Sequence, residues 1–291
     1  MRRTLFGLLC GLTAASIWGG MYVVSKVVLD VIPPFALLTL RLVLGILTLW
    51  PVALLRKSTR ITRHAFWQVF VVGFIGYGIS IGFQFVGTKL STASNGALLT
   101  SSTPAFVVLF AMLILGEPPT WRRVLALLLA SAGVVAVIDP RSAQLSSQLF
   151  LGNLSLLAAG VTWALYSVLI RKVTREVDVL STSLIAFMGG LPVSVPLAAW
   201  EVSVQGVGEI TLGIIGGILF LGIISTALAM YLWNTAFAVL DAGVASLTFF
   251  AQPVVGTLLG AFFLQEEITT LFLVGGILIG GGLLLASSEG G

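Results

Sequence analysis

Charge is scarce in this chain. Lys, Arg, Asp and Glu make up 9% of its 291 residues, against about 25% in an ordinary soluble domain. So few charges cannot coat a water-soluble body of this length, and most of the surface must meet lipid. The single cysteine, Cys10, excludes an internal disulfide framework and a cysteine-built metal site. Leu9 precedes it where a lipoprotein signal would place a small residue, so Cys10 reads as a packed side chain. The single histidine, His64, lies in a basic loop. HExxH, GxSxG and P-loop patterns are all missing, so the usual hydrolytic and phosphoryl-transfer machinery is not available. No catalytic group, cofactor or metal is expected. The net charge of +4 is no nucleic-acid face either, because the basic residues fall in short clusters between apolar runs.

Apolar residues are abundant: 58% of the chain is hydrophobic and the mean hydropathy is +1.11. Crossing about 30 Å of hydrocarbon takes about 20 mostly apolar residues in a helix. Reading between charge clusters and Pro/Gly turns gives ten such segments: 4–28, 34–55, 66–88, 93–115, 121–139, 149–170, 180–200, 210–236, 243–264 and 268–287. They must be helices, since hydrocarbon offers no partner for a free amide and no alternating barrel pattern is present. Met1-Arg2-Arg3 before the first run resembles a signal peptide, but the run continues to about Val28 and is read as a retained helix. With the N-terminus inside, the cytoplasmic loops receive eleven basic residues, from Arg2 and Arg3 to Lys172 and Arg175, and the outer loops only Lys89 and Arg141. Both termini are therefore placed in the cytoplasm. Trp50, Trp67 and Trp121 near the inner boundary and Trp200 near the outer one are expected as interfacial anchors.

The two halves hold one register. Trp18 matches Trp163 and Lys26 matches Arg171 at an offset of 145, and from the third segment the offset is 149. There Gly73 pairs with Gly222, Pro104 with Pro253, Glu117 with Glu266 and Gly133 with Gly282. Five helices per half is an odd number, so the second copy must enter from the opposite side. Such inverted repeats are common in secondary transporters, with the site near the midplane between them.

Three motifs carry a family resemblance. The stretch from Ala15 through Trp18 and Tyr22 to Lys26 resembles the first-helix motif of the drug/metabolite transporter superfamily, ten-helix EamA type. Ala97 to Pro104, running on to Leu115-Gly116-Glu117, is similar to its fourth-helix motif, and Ala251-Gln252-Pro253 through Glu266 to its ninth. Arg41 matches a position where that family often has Arg. The resemblance implies an all-α polytopic membrane protein with one EamA-like repeat in 1–140 and another in 149–288. It also implies export or exchange of small metabolites, amino acids among them, across the cytoplasmic membrane of a bacterium.

Candidate binding residues follow from polarity inside the spans. Trp18 and Tyr22 share a face of the first helix, as Trp163 and Tyr166 do on the sixth; Tyr77 and Tyr231 lie in the third and eighth. A buried indole or phenol needs a partner that lipid cannot supply, and a polar cavity between the halves would provide one. Close packing against neighbouring carbonyls would serve equally. Thr100, Ser101, Ser102 and Thr103 before Pro104, and Thr248 and Gln252 before Pro253, sit where a proline kink would free a carbonyl. They could hold a zwitterion, or simply bond helix to helix. Gln84, Asn95 and Asn234 are weaker candidates on the same ground. Lys26 and Arg41 are the basic residues inside spans, and both are expected to snorkel to the outer interface. Glu117 and Glu266, at helix ends, read as structural. Gly275, Gly276, Gly280, Gly281 and Gly282 are expected to form one small-residue face on the tenth helix, and Gly73, Gly76, Gly78 and Gly82 another on the third. No Asp, Glu or His lies in mid-span, which favours neutral or zwitterionic cargo over a cationic drug exchanged for protons. The leading expectation is a secondary transporter with a small-molecule substrate and the lipid bilayer as its partners. A broad-specificity exporter of aromatic or cationic drugs is the alternative, and monomer and homodimer stay open.

Overall fold

The computed structural model describes residues 2–55, 61–91, 99–100, 102–118, 120–138, 150–264 and 270–287. Among them the regular structure is helical throughout. We label the rods α1 (Arg2–Leu29), α2 (Pro34–Leu55), α3 (Arg63–Leu90), α4 (Thr103–Leu115) and α5 (Trp121–Ile138). The second half supplies α6 (Phe150–Val173), α7 (Val179–Gln205), α8 (Leu212–Val239), α9 and α10 (Thr270–Ser287). Helix α9 is composite: Ala242–Leu247, a 3-10 turn over Thr248–Phe250, then Ala251–Leu264.

Six rods, α1, α2, α3, α6, α7 and α8, are long and apolar enough to cross a membrane. Shorter apolar stretches, Thr103–Leu115, Ala242–Gly256 and Leu273–Gly282, accompany them. Trp50, Trp67, Trp121 and Trp200 all stand exposed on the outside of the bundle.

Two features differ from the expected spans. Pro104 occupies the first turn of α4, after a break at Ser102, instead of kinking a continuous helix. The ring lacks an N–H that would be unpaired there anyway, so this is its least costly place. Helix α7 runs past Trp200 to Gln205, which brings Glu201 inside it, 5% exposed. The Glu201 carboxylate accepts the backbone N–H of Phe35 at 2.7 Å and caps the start of α2.

The packing is reciprocal between the halves. Helix α1 packs on α8 and α9, and α6 packs on α3 and α4. Helix α3 lies on α7 as α8 lies on α2, while α2–α7 and α5–α10 pair the equivalent rods directly. Exchanging each rod for its counterpart five places on maps these pairs onto one another.

Lipid gives apolar side chains no reason to prefer one another, so close backbone approach and hydrogen bonds must hold such a bundle. Glycine permits the approach. A Cβ on Gly73 would stand 2.1 Å from the carbonyl oxygen of Ala186, and one on Gly189 2.1 Å from that of Phe70. Gly73, Gly76, Gly78 and Gly82 of α3 do not make one face. Gly73 and Gly78 meet α7, Gly76 meets Tyr166, and Gly82 meets Phe35. At about 100° per residue Gly73 and Gly78 already stand about 140° apart; both meet α7, and a π-helical stretch, Phe74–Ser80, changes that step. A second one, Phe220–Leu228, lies at the matching place in α8. The α10 glycines also divide. Gly282 and Gly275 pack against α5, whereas a Cβ on Gly276, Gly280 or Gly281 meets nothing within 4 Å.

Gly189→Ala is expected to lower the melting temperature of the detergent-solubilised protein, by the equivalent of about 1–3 kcal/mol. Gly276→Ala should leave it unchanged. An unaffected Gly189 variant would mean that α3 and α7 can separate without loss.

Candidate functional site

The centre of the bundle is aromatic. Trp18 from α1 meets Trp163 from α6 edge-on at 5.7 Å between centroids, and Trp233 from α8 at 5.2 Å. Trp163 stacks on Tyr166 at 4.7 Å, and Tyr77 contacts Tyr166 at 5.0 Å and Phe187 at 4.9 Å. Phe249 of α9 closes the group beside Trp18 and Trp233. Each offset or edge contact of this kind adds about 0.5–1.5 kcal/mol beyond area burial.

Against this cluster lies a cavity lined from both halves. Trp18 and Met21 come from α1, Ser80, Ile81 and Gln84 from α3, and Thr100 and Thr103 from the start of the α4 region. Ala159, Gly160 and Trp163 of α6, Met230 of α8, and Phe249 and Gln252 of α9 complete the wall. The space free of atoms is about 410 Å³, but only about 30 Å³ admits the centre of a water molecule. At roughly 10–15 Å³ per water, that is room for about two waters. The site is narrow here, and a cargo the size of an amino acid needs it to widen.

The polar groups sort into two sets. One set is already bonded. Trp18 donates its indole N–H to the Ser225 carbonyl at 3.0 Å, and Ser80 donates to the Ala159 carbonyl at 2.9 Å. Gln84 donates to the Tyr22 hydroxyl at 2.8 Å. Behind the wall runs a fully connected relay through four helices. Tyr77 donates to Tyr166 at 2.6 Å, Tyr166 to Asn234 Oδ1 at 2.8 Å, Asn234 to Ser183 at 3.0 Å, and Ser183 to the Val179 carbonyl at 2.8 Å. The other set belongs to residues of the wall. Trp163 Nε1 is buried and makes no hydrogen bond among the described residues. Gln252, 4% exposed, presents its amide in the same wall.

Of the candidate residues, Trp18, Gln84, Thr100, Thr103, Trp163 and Gln252 line the cavity together. Tyr22 reaches it through Gln84, and Tyr77 and Tyr166 brace the wall from behind. Ser102 turns back to the Leu99 carbonyl at 2.6 Å and Thr248 to that of Ala245 at 2.7 Å, so neither lines it. Tyr231 is half-buried on another side of α8. Ser101, Asn95 and Glu266 lie outside the described residues.

Trp233 and Phe249 escaped the sequence reading. Trp233 has no aromatic partner in the first half, since Gln84 stands at the matching position. The spacing of Thr226, Met230, Trp233 and Phe237 on one face of α8 was the usable signal.

One expectation is overturned. Lys26 is exposed and points to the Ser91 carbonyl, 3.4 Å away, at the end of α3. Arg41 does not snorkel: it is 1% exposed, in the interior of the bundle. Two hydroxyls on α8 and an aromatic face hold it there, and hydropathy alone could not show them.

At one end of the bundle, charges tie four elements together. Arg171, at the end of α6, pairs with Glu117 after α4 at 2.6 Å and with Asp241 between α8 and α9 at 2.7 Å. It also donates to the carbonyls of Phe237 and Leu240. Glu117 accepts the Ala242 N–H at 3.0 Å, and Arg123 at the start of α5 pairs with Asp241 at 2.5 Å. Arg171 and Glu117 are mostly buried, so the cluster is a plug rather than a solvated surface pair.

Comparison with known proteins decides the class. The model of the EamA-like transporter family matches this chain twice, over residues 5–138 and 150–288. The chain belongs to that family, within the drug/metabolite transporter superfamily. Among relatives of the EamA-like chain, the "Uncharacterized transporter YyaM" of Bacillus subtilis is 29% identical over 79% of this chain and 76% of its own. An "Uncharacterized transporter" of Archaeoglobus fulgidus is 25% identical over 94% of both chains. A solved chain, "Crystal structure of protein", superposes with a TM-score of 0.80 over 97% of this EamA-like chain and 96% of that one. At 23% identity that likeness concerns the fold. The protein is therefore a membrane transporter.

Tyr166→Phe should destabilise the bundle by about 1–3 kcal/mol, because it strands both Tyr77 and Asn234. A thermal melt in detergent reads this directly. A neutral result would show that the relay is not a support of the wall.

Proposed function

We propose that this EamA-like protein exports small metabolites, amino acids foremost, from a bacterial cell by alternating access about the central cavity. The reading takes the helices as ten membrane crossings in two inverted repeats, 1–140 and 149–288, with both termini in the cytoplasm. The reciprocal packing of the halves and the excess of basic residues on one set of loops support it. The observation that carries it is the cavity wall itself. Both halves contribute, Trp163 offers an unpartnered indole N–H, and Gln252 offers an amide that both donates and accepts. These suit the carboxylate and ammonium of a zwitterion, while the aromatic surround excludes water and strengthens both bonds. No charged residue is among those lining the cavity, so a cationic drug would find no counter-charge there. The aromatic surfaces alone favour the second reading, an exporter of aromatic compounds.

In this scheme the Arg171–Glu117–Asp241–Arg123 cluster holds the cytoplasmic end shut and must part for cargo to enter. The sole cysteine reports on it, because Cys10 is buried on α1 and its helix neighbours Gly7 and Gly11 abut Leu240 and Thr248. Glu117→Gln is expected to speed alkylation of Cys10 by a small thiol reagent several-fold. An unchanged rate would remove the cluster from the gate.

Transport is tested by mass-spectrometric efflux from proteoliposomes preloaded with mixed amino acids and other small metabolites, with and without a pH gradient. Selective loss of a few amino acids is expected. Trp163→Phe, which keeps the ring but removes the N–H, should slow that efflux about tenfold or more. Loss of aromatic cations instead would replace this reading with the drug-exporter one.

A further inference from the structure

Arg41 lies near the middle of α2, with the cavity wall beside it. Its Nε donates to Thr226 Oγ1 at 2.8 Å and one terminal nitrogen donates to Ser225 Oγ at 3.3 Å. Both hydroxyls belong to the π-helical stretch of α8, and Thr226 in turn donates to the Leu221 carbonyl five residues back. The guanidinium carbon stands 5.0 Å from the centre of the Phe85 ring. The remaining terminal nitrogen, Nη1, is buried and makes no hydrogen bond among the described residues. Among the described residues no carboxylate pairs with this cation. Every other partner is neutral.

A side chain that is always charged, has a missing partner and sits deep in the protein is costly by any measure. Where such a charge is only structural, a fixed carboxylate or carbonyl usually completes its shell. Here the shell is incomplete, and it is incomplete beside the cavity. Ser225, which accepts from Arg41 on its hydroxyl, accepts the indole N–H of the cavity residue Trp18 on its carbonyl. Phe85, under the guanidinium, directly follows Gln84, another cavity residue. The uncompensated positive charge therefore stands behind the wall, joined through Ser225 to Trp18, a residue of the wall.

We propose that Arg41 is the charge-selecting residue of the site, its missing partner being the carboxylate of the cargo. This rests on the reading of the cavity as the transport site and narrows it. Cargo carries a carboxylate, as a zwitterion or a small organic anion. A net cation such as a decarboxylated amine is repelled by the same field that attracts the acid. Lysine could supply the charge but not the planar fork that keeps two hydroxyls and a carboxylate in reach together.

The test uses the full chain in proteoliposomes loaded with the standard amino acids, their decarboxylated amines and their deaminated acids in equal amounts. Wild type is expected to release carboxylate-bearing compounds at least tenfold faster than the matched amines. Arg41→Gln should cut that release at least tenfold while the amines gain, and Arg41→Lys should recover part of the loss. Amines leaving as fast as acids from wild type would overturn the assignment, as would unchanged acid release from Arg41→Gln. The wild-type comparison decides the matter even if the Gln variant fails to fold. Release of amines that Trp163→Phe suppresses would overturn Arg41 alone and leave the cavity as the transport site. Release of nothing by wild type would sink the transport reading, and this one with it.

Discussion

Inside a bilayer no water is at hand to take over an unmade hydrogen bond, so each polar group in the bundle has to find its partner in the chain. The relay from Tyr77 through Tyr166, Asn234 and Ser183 to a backbone carbonyl follows from that constraint. So does Glu201 on the first amides of α2, and so do the threonines that bond back to their own helices, Thr39, Thr88 and Thr174 among them. Against such thorough pairing, the orphans are informative. Among the described residues Ser25 Oγ, Ser194 Oγ, Trp163 Nε1 and Arg41 Nη1 are left without a partner; Trp163 belongs to the cavity wall and Arg41 stands behind it.

The six long apolar rods were legible because hydrocarbon thickness dictates their length, and the register was read between halves because Trp, Pro and Glu are rare enough to align. The site was only partly so. Trp18 and Trp163 announced themselves by repeating, and Gln252 by preceding a proline. Trp233 did neither. Arg41 was misread for a physical reason: the cost of burying a charge depends on groups far away in the chain, here Ser225, Thr226 and Phe85. The glycines of α3 were misassigned because their spacing holds no single face even at 3.6 residues per turn, and a π-helical stretch changes the pitch again. Local pattern gives the helix; it does not give a change of pitch within it.

Charge is used sparingly, and in two different ways. At the end of the bundle, Arg171 is surrounded by two carboxylates and two carbonyls, a saturated arrangement that stabilises one closed geometry. Arg41 is undersaturated and so retains the capacity to respond to what enters. Saturated charge holds a shape, and unsaturated charge recognises a partner.

The contact of Gly73 with Ala186 and of Gly189 with Phe70 has a mechanical meaning. Where two helices touch backbone to backbone, no side chains interlock across the contact. Their separation is fixed by hard atoms, yet little interdigitation resists a change in the angle between them. The crossing of α3 on α7 therefore acts as a pivot. In the proposed alternating access, rods crossing in this way rock as stiff levers, opening one end of the molecule while the other draws together.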